Sequence, residues 1–300
     1  MNIYIKALRA PFLAGSVVPV IIGICLAFKE GHFIFSFSWI TIVGVAALHL
    51  GANLLNDFYD AKGSDPINIR LTPFSGGSRV IQDGEFKAGT ILVMAILFFA
   101  LALASALWLA YAGRPLVFLI GFLGLFAGWA YSAPPLQLMS RGWGEIAIFF
   151  AFGPLITLGA YYVMSGQLTW QAFLVGFPQG FLITGVIWIN QFPDYQADKE
   201  AGKRNLVVRL GLGASRYLYC LIMIFSFVTI VFLVGVMGLS YLTMIAFASF
   251  PLTFKAMKIA WKKHLTYEGL IPAQALTVQM VMAQGLLLSL GIFLSRFMNI

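Results

Sequence analysis

Charge is what this sequence has least of. Only 10% of its 300 residues are Asp, Glu, Lys or Arg, against about 25% in a soluble domain. Hydrophobic residues make up 60%, more apolar surface than a water-soluble fold of this size can hide, so the solvent of the chain is lipid. Cysteine is nearly absent. Cys25 and Cys220 both fall inside apolar runs, and no disulfide framework or thiolate metal site can be built from them. No set of His and Cys has zinc-ligand spacing. There is no internal repeat, no low-complexity tract and no Pro/Gly/Ser linker, so residues 1–300 read as one domain. The net charge of +8 does not point to nucleic acid, because the cations are scattered in short clusters between apolar spans. Membrane proteins carry such clusters in their cytoplasmic loops.

What the chain does have is long apolar runs. A spanning helix needs roughly 20 mostly apolar residues. That criterion predicts nine, over Pro11–Phe28, Trp39–Asn56, Thr90–Tyr111, Pro115–Tyr131, Ile146–Met164, Ala172–Gln191, Tyr217–Val236, Leu239–Ile259 and Leu276–Phe297. The first run follows Lys6 and Arg9 and superficially resembles a signal peptide. It is as long as a spanning helix, and no small-residue cleavage site follows it before Lys29 and Glu30, so it is read as the first span. Two polar stretches interrupt the pattern, Asp57–Gly89 and Phe192–Arg216.

Sorting the charges by side orients the chain. With the N-terminus inside, only Lys29, Arg114 and Arg296 of the 19 Lys+Arg fall outside. Cytoplasmic loops carry the excess of cations, so the N-terminus is predicted inside and the C-terminus outside. The acids follow the same split, with Glu30 alone outside among the 11 Asp+Glu. Acids contribute little to topology, so their crowding on one face calls for a functional cause.

Two motifs carry most of that crowding. The second span runs into Asn53-Leu-Leu-Asn56-Asp57-Phe-Tyr59-Asp60. If the helix continues, Asn53, Asp57 and Asp60 share a face at i, i+4 and i+7. The sixth span runs into Asn190-Gln-Phe-Pro193-Asp194-Tyr195-Gln-Ala-Asp198. Asn190, Asp194 and Asp198 repeat the arrangement, with Pro193 expected to kink the helix. Stacked like charges destabilise a helix, and ionisable groups at membrane depth mark function by default. Two such clusters at the same end of two helices suggest one shared, highly positive ligand. Mg²⁺ fits best, because it takes oxygen ligands and is usually held by one or two carboxylates plus substrate phosphates. The bland alternative, solvated helix ends, suits any single Asp but not both motifs together. Lys62, Arg70 and Arg79 follow the first motif, and Lys199, Lys203 and Arg204 the second. Such cations bind phosphate by charge-assisted hydrogen bonds, although each also serves as a topology determinant. His49 lies one turn before Asn53 and faces the same way, as a packed structural histidine or as a substrate contact.

The sequence resembles the UbiA superfamily of intramembrane aromatic prenyltransferases. The resemblance rests on Asn56-Asp57-Phe-Tyr-Asp60, Asp194-Tyr-Gln-Ala-Asp198 and the opening Leu8-Arg9-Ala-Pro11 with Val18-Pro19 and Gly23, and it covers essentially the whole chain. Within the superfamily it looks most like the menaquinone-pathway branch, through Asp60-Ala-Lys-Gly-Ser-Asp65, Tyr131-Ser-Ala-Pro-Pro-Leu with Arg141-Gly-Trp-Gly-Glu145, and Asp198-Lys-Glu-Ala-Gly-Lys203-Arg204-Asn-Leu-Val-Val-Arg209-Leu-Gly211. The loop Phe74-Ser-Gly-Gly-Ser-Arg79 departs from that branch.

The resemblance implies an all-α polytopic bundle of nine transmembrane helices around a central cavity, embedded in the lipid bilayer of a bacterial inner membrane with its site facing the cytoplasm. It implies transfer of a prenyl group from a polyprenyl diphosphate to an aromatic acceptor such as 1,4-dihydroxy-2-naphthoate, with loss of CO₂. Asp57 and Asp60 would hold one Mg²⁺ and Asp194 and Asp198 another. Asn53, Asn56, Asn190, Lys62, Arg79, Lys203 and Arg204 would line the diphosphate site. Tyr59, Tyr131 and Tyr195 are placed to stabilise an allylic cation. The long stretch Asp57–Gly89 is read as a lid, with Gly76-Gly77 as its hinge and Arg79 as the residue that reaches phosphate. Acceptors such as 4-hydroxybenzoate, haem or chlorophyllide stay open. A transporter is disfavoured because both clusters lie at helix ends rather than at the midplane. A CDP-alcohol phosphotransferase is disfavoured because its longer acidic pattern is missing.

Overall fold

The computed structural model describes residues 3–298, and among them helices and connecting loops account for the whole architecture. Nine helices follow the apolar runs: α1 (Ala10–Lys29), α2 (Phe35–Asp60), α3 (Ala88–Tyr111), α4 (Val117–Ser132), α5 (Gly144–Ser165), α6 (Trp170–Glu200), α7 (Leu206–Gly235), α8 (Tyr241–Lys263) and α9 (Tyr267–Ser295). Eight are long and apolar enough to cross a membrane, and α4 is the short ninth. The sequence expectation therefore holds, with one qualification of length. Several helices run past their apolar runs at the end that carries the acidic motifs. α2 carries its helix through Asp60, α6 through Glu200, and α7 and α9 begin roughly ten residues early. Hydropathy stops where polar residues start, whereas backbone hydrogen bonding does not.

Pro193 does not end α6, which continues seven residues beyond it. Phe192 and Pro193 are both buried there, and packing outweighs the missing backbone donor. α5 and α6 cross where Gly153 meets Gly176 and Gly180: a Cβ on Gly153 would stand 2.5 Å from the Gly176 carbonyl oxygen and 2.6 Å from Gly180 Cα. Small residues let helix backbones approach in lipid, where burial from water gives no drive. α8 starts as a 3₁₀ segment, Tyr241–Ser249, before becoming α-helical at Phe250.

Two apolar clusters organise the bundle. Val18, Ile22 and Leu26 of α1 pack with Tyr161 and Tyr162 of α5 and Leu288 and Ile292 of α9. Leu182 and Ile189 of α6 pack with Tyr219 and Met223 of α7 and Met280 of α9. The three cations assigned outside gather at one end. Arg296 bonds the Phe28 carbonyl, Arg114 Nε bonds the Val163 carbonyl at 2.7 Å, and the neighbouring Tyr161 hydroxyl bonds Glu30. α9 thus ends beside the start of the α1–α2 loop, as an odd number of crossings requires. Ile300, the predicted external terminus, lies outside the described residues.

Candidate active site

α1 to α6 and α9 enclose a cavity of about 500 Å³. α7 and α8 contribute nothing to its lining. Its polar end gathers Arg9, Asn53, Asn56, Asp60, Asp65, Asn68, Tyr131, Asn190, Asp194, Asp198 and Lys203. Its other end is apolar and includes Ile40, Leu109, Val117 and Val163. Phe118, Phe122 and Leu125 of α4 and Leu103 of α3 line it while remaining 38–61% exposed. The cavity therefore opens sideways, between α3 and α4, onto the lipid-facing surface.

The two acidic motifs meet across this polar end because α2 and α6 run unbroken through them. Asn190, Asp194 and Asp198 line one wall, as the i, i+4, i+8 spacing predicts. On α2, Asn53, Asn56 and Asp60 line the other. Asp57 is 3% exposed and turns away from the cavity lining.

Each carboxylate is held by protein groups. Arg9 pairs with Asp57 Oδ1, which also accepts the Ser78 amide at 3.3 Å. Lys203 Nζ lies 3.0 Å from Asp60 Oδ1 and 3.5 Å from Asp198 Oδ1. Burial works against its charge, but Asp60 and Asp198 outweigh that and hold the ammonium above its ordinary value. Asn56 Nδ2 donates to Asp60 Oδ2 at 3.2 Å, and Asn205 Nδ2 to Asp198 Oδ2 at 2.8 Å. Asn68 Nδ2 donates to Asp194 Oδ1 at 2.7 Å, and the Gly76 amide reaches Asp194 Oδ2 at 3.3 Å. Asp65 is 4% exposed. Burial, reinforced by the charge of Asp60, pushes its carboxyl up to about 6.

Among the described residues, no three His, Cys, Asp or Glu side chains stand together as a metal site. The donor chemistry nevertheless fits a hard cation. Asp60 of α2 lines the polar end opposite Asp194 and Asp198 of α6, with the amide groups of Asn56 and Asn190 beside them. Asp57 Oδ2 is buried without a hydrogen-bond partner, its carboxylate neutralised by Arg9 through Oδ1.

The connection 61–87 is already folded over the site. Asn68, Gly76 and Ser78 tie it to both acidic motifs. Gly76 and Gly77 have φ of +82° and +76°, and a Cβ on Gly77 would overlap the Asp65 carboxylate. In this arrangement the glycine pair permits close approach of loop and carboxylate. Arg79 Nη1 donates to the Asp65 carbonyl and the residue does not line the cavity. Lys62 and Arg204 are exposed and also stand away from it. Of the four cations expected at the diphosphate, only Lys203 lines the cavity. Spacing places a residue on a segment, but the segment's path decides where a flexible side chain ends. Of the three tyrosines, only Tyr131 lines the cavity. Tyr59 packs in the cluster with Leu54 and Leu55, and Tyr195 packs in the α6–α7 core.

Several partners have no signature in the sequence. Arg9 reads there as a topology determinant, yet it neutralises Asp57. Asn205 caps α7 through the Val208 amide at 2.8 Å, and its bond to Asp198 has no sequence signal. Glu145 is 2% exposed and accepts from Gln191 Nε2 at 2.9 Å and the Leu206 amide at 3.2 Å. Gln274, fully buried on α9, donates to Asn190 Oδ1 at 3.0 Å. Asn68 belongs to a loop that no periodicity describes.

Comparison with known proteins gives the same picture. The model of the UbiA prenyltransferase family matches residues 16–268. The 1,4-dihydroxy-2-naphthoate octaprenyltransferase of Escherichia coli (strain K12) is 32% identical over 224 residues, 73% of this chain and 72% of that protein. The 1,4-dihydroxy-2-naphthoate octaprenyltransferase of Bacillus subtilis (strain 168) is 25% identical over 96% of this chain and 91% of its own length. The structure of a UbiA homolog from Archaeoglobus fulgidus bound to GPP and Mg²⁺ superposes with a TM-score of 0.63 at 18% identity, covering 96% of this chain and 100% of that one.

Proposed function

Since the chain belongs to the UbiA prenyltransferase family, we propose that this membrane prenyltransferase moves a polyprenyl chain from its diphosphate to 1,4-dihydroxy-2-naphthoate, with loss of CO₂ and in dependence on Mg²⁺. The observation that carries the reading is a single cavity with a carboxylate-rich polar end and an apolar end open to lipid. One substrate with a charged head and a hydrocarbon tail matches both ends at once. The acceptor is inferred from the relatives in Escherichia coli and Bacillus subtilis, both named for that naphthoate.

Asp57, Asp60, Asp194 and Asp198 would hold Mg²⁺, which when bound neutralises the diphosphate and makes it a better leaving group. Arg9 and Lys203 now supply the counter-charge and would have to give way, which frees both for the diphosphate oxygens. Asn53, Asn56 and Asn190 line the same end and offer amide donors. Tyr131 lines the cavity there, where an aromatic face stabilises an allylic cation without attacking it. The docked connection 61–87 excludes water that would otherwise capture that cation. The tail lies along Leu109, Val117 and Val163 and leaves through the gap between α3 and α4.

That the polar end faces the cytoplasm across a bacterial inner membrane is part of the proposal, supported by the concentration of cations in its loops and by the relatives in Escherichia coli and Bacillus subtilis. A reporter active only in the cytoplasm, fused after Ile300, should therefore stay silent. The acceptor is tested with membranes, a labelled polyprenyl diphosphate, a panel of acceptors including 4-hydroxybenzoate, and EDTA controls, followed by mass analysis of the lipid product. A prenylated product from another acceptor, with none from the naphthoate, would overturn the acceptor assignment. Full activity in EDTA would overturn the metal.

A further inference from the structure

Among the described residues, His49 is the one ionisable side chain that lines the cavity away from its acidic end, and the mechanism above gives it no task. It sits on α2 one turn from Asn53 and about 12 Å along the helix from Asp57, outside the acidic cluster itself. It is 8% exposed. Its ring meets Phe152 edge to face, at 4.9 Å and 81° between planes, which fixes the ring orientation. Both His49 and Ser16 line the cavity.

The hydrogen bonds around it determine its tautomer. His49 Nδ1 lies 2.9 Å from Ser16 Oγ. Ser16 Oγ lies 3.1 Å from the Leu13 carbonyl oxygen. A carbonyl oxygen can only accept, and a serine has one hydroxyl hydrogen. If that hydrogen goes to Leu13, both contacts are satisfied once Nδ1 carries a proton and donates to Oγ. If it went to Nδ1 instead, two oxygens would face each other without a hydrogen between them. The first arrangement leaves Nε2 with an open lone pair, and among the described residues Nε2 has no hydrogen-bond donor. Most buried polar nitrogens are paired, and His49 lines the cavity with this one unpaired.

We propose that His49 Nε2 is the base that receives the phenolic hydroxyl of the aromatic acceptor, with Ser16 as the positioning residue that sets its tautomer. This rests on the reading that the acceptor is a hydroxylated aromatic ring. The hydroxyl proton passes to Nε2, and the electron pair it leaves raises the density at the ring carbon. The C–O bond to diphosphate breaks, diphosphate leaving with the pair, and that ring carbon forms the new C–C bond to the allylic cation left behind. For a carboxylated carbon, the resulting dienone loses CO₂. The pair from the broken C–C bond restores the ring, and the oxygen takes its proton back from the imidazolium. The proton is borrowed and returned, so no oxidant, reductant or further acid is needed.

The chain has three histidines, so spectra of ¹⁵N-histidine-labelled protein in detergent can be assigned by substitution. The wild type should show His49 protonated at Nδ1 with an unprotonated Nε2, whose signal moves on adding acceptor but not on adding a prenyl diphosphate analogue alone. Ser16→Ala should yield mixed tautomers. His49→Ala should lower kcat/KM for the acceptor about 10²–10⁴-fold while KM for the prenyl diphosphate stays unchanged, and His49→Gln should recover acceptor KM more than kcat. An O-methylated acceptor should bind wild type and His49→Ala alike. A wild-type enzyme protonated at Nε2, or a naphthoate-prenylating wild type matched by His49→Ala, overturns the proposal and leaves the prenyltransferase reading intact. A wild type that prenylates only a ring without a hydroxyl overturns the acceptor reading, and the proposal with it. If His49→Ala fails to bind the prenyl diphosphate analogue, the tautomer and His49→Gln decide.

Discussion

Lys203→Met tests whether protein cations hold the carboxylates until a metal replaces them. Lys203 Nζ stands 3.0 Å from Asp60 and 3.5 Å from Asp198, with its side chain 12% exposed. At an effective dielectric near 20 each contact is worth roughly 5 kcal/mol before desolvation is subtracted. Methionine keeps the stem's volume but leaves both carboxylates without their cation, and removing one partner of a buried pair costs about 3–5 kcal/mol. Thermal unfolding of the detergent-purified protein, followed by circular dichroism in EDTA and again with Mg²⁺ and pyrophosphate, reads the effect. The variant should unfold at lower temperature in EDTA. Mg²⁺ should then raise its Tm by more than it raises that of the wild type, because the ion restores the missing charge. An unchanged Tm in EDTA would refute the ion-pair argument. Equal Mg²⁺ increments would refute the idea that these carboxylates form the metal site.

Asp57→Ala and Asp194→Ala should each abolish prenyl transfer while the protein still inserts into membranes; near-normal turnover in both would remove the diphosphate clamp. Gly77→Ala places a Cβ against the Asp65 carboxylate at a φ of +76°, a conformation costing an L-residue about 1–2 kcal/mol. It should undock the 61–87 connection and speed tryptic cleavage near Arg70; unchanged cleavage would mean the loop is anchored elsewhere. Asp65 is raised from its ordinary 3.8 to about 6 by burial and by Asp60. The folded state therefore holds its proton more tightly than the unfolded state, so this group's contribution falls as pH climbs from about 4 to 6 and is constant above. Metal-free Asp65→Asn should gain stability over wild type at pH 7 and lose that advantage near pH 4, as measured by thermal unfolding at both values. An equal difference at the two values would contradict the linkage.

Much of this protein is legible from residues alone. Long apolar runs leave a chain no solvent but lipid, and in lipid every backbone group must be paired within a helix. That is why hydropathy locates the nine helices. Helical period in turn puts Asn190, Asp194 and Asp198 on a shared face with no reference to the rest of the fold. The grouping of Lys29, Arg114 and Arg296 at one end of the bundle follows from charge asymmetry in the same way. These are properties of local sequence, set by period and composition.

Tertiary structure decided what pairs with what. Arg9 and Asp57 are 48 residues apart, Asn68 and Asp194 are 126, and Lys203 and Asp60 are 143; no periodicity connects such positions. Lys203 lines the cavity while Arg204 beside it is exposed. Tyr131 lines it while Tyr59 and Tyr195 pack elsewhere, because loop path and helix rotation are fixed by packing against other elements. The free nitrogen of His49 required the positions of Ser16 and Leu13 on a different helix. A sequence supplies the groups and the faces they occupy. Only the packed bundle sets the distances on which ion pairs, tautomers and a shared metal site depend.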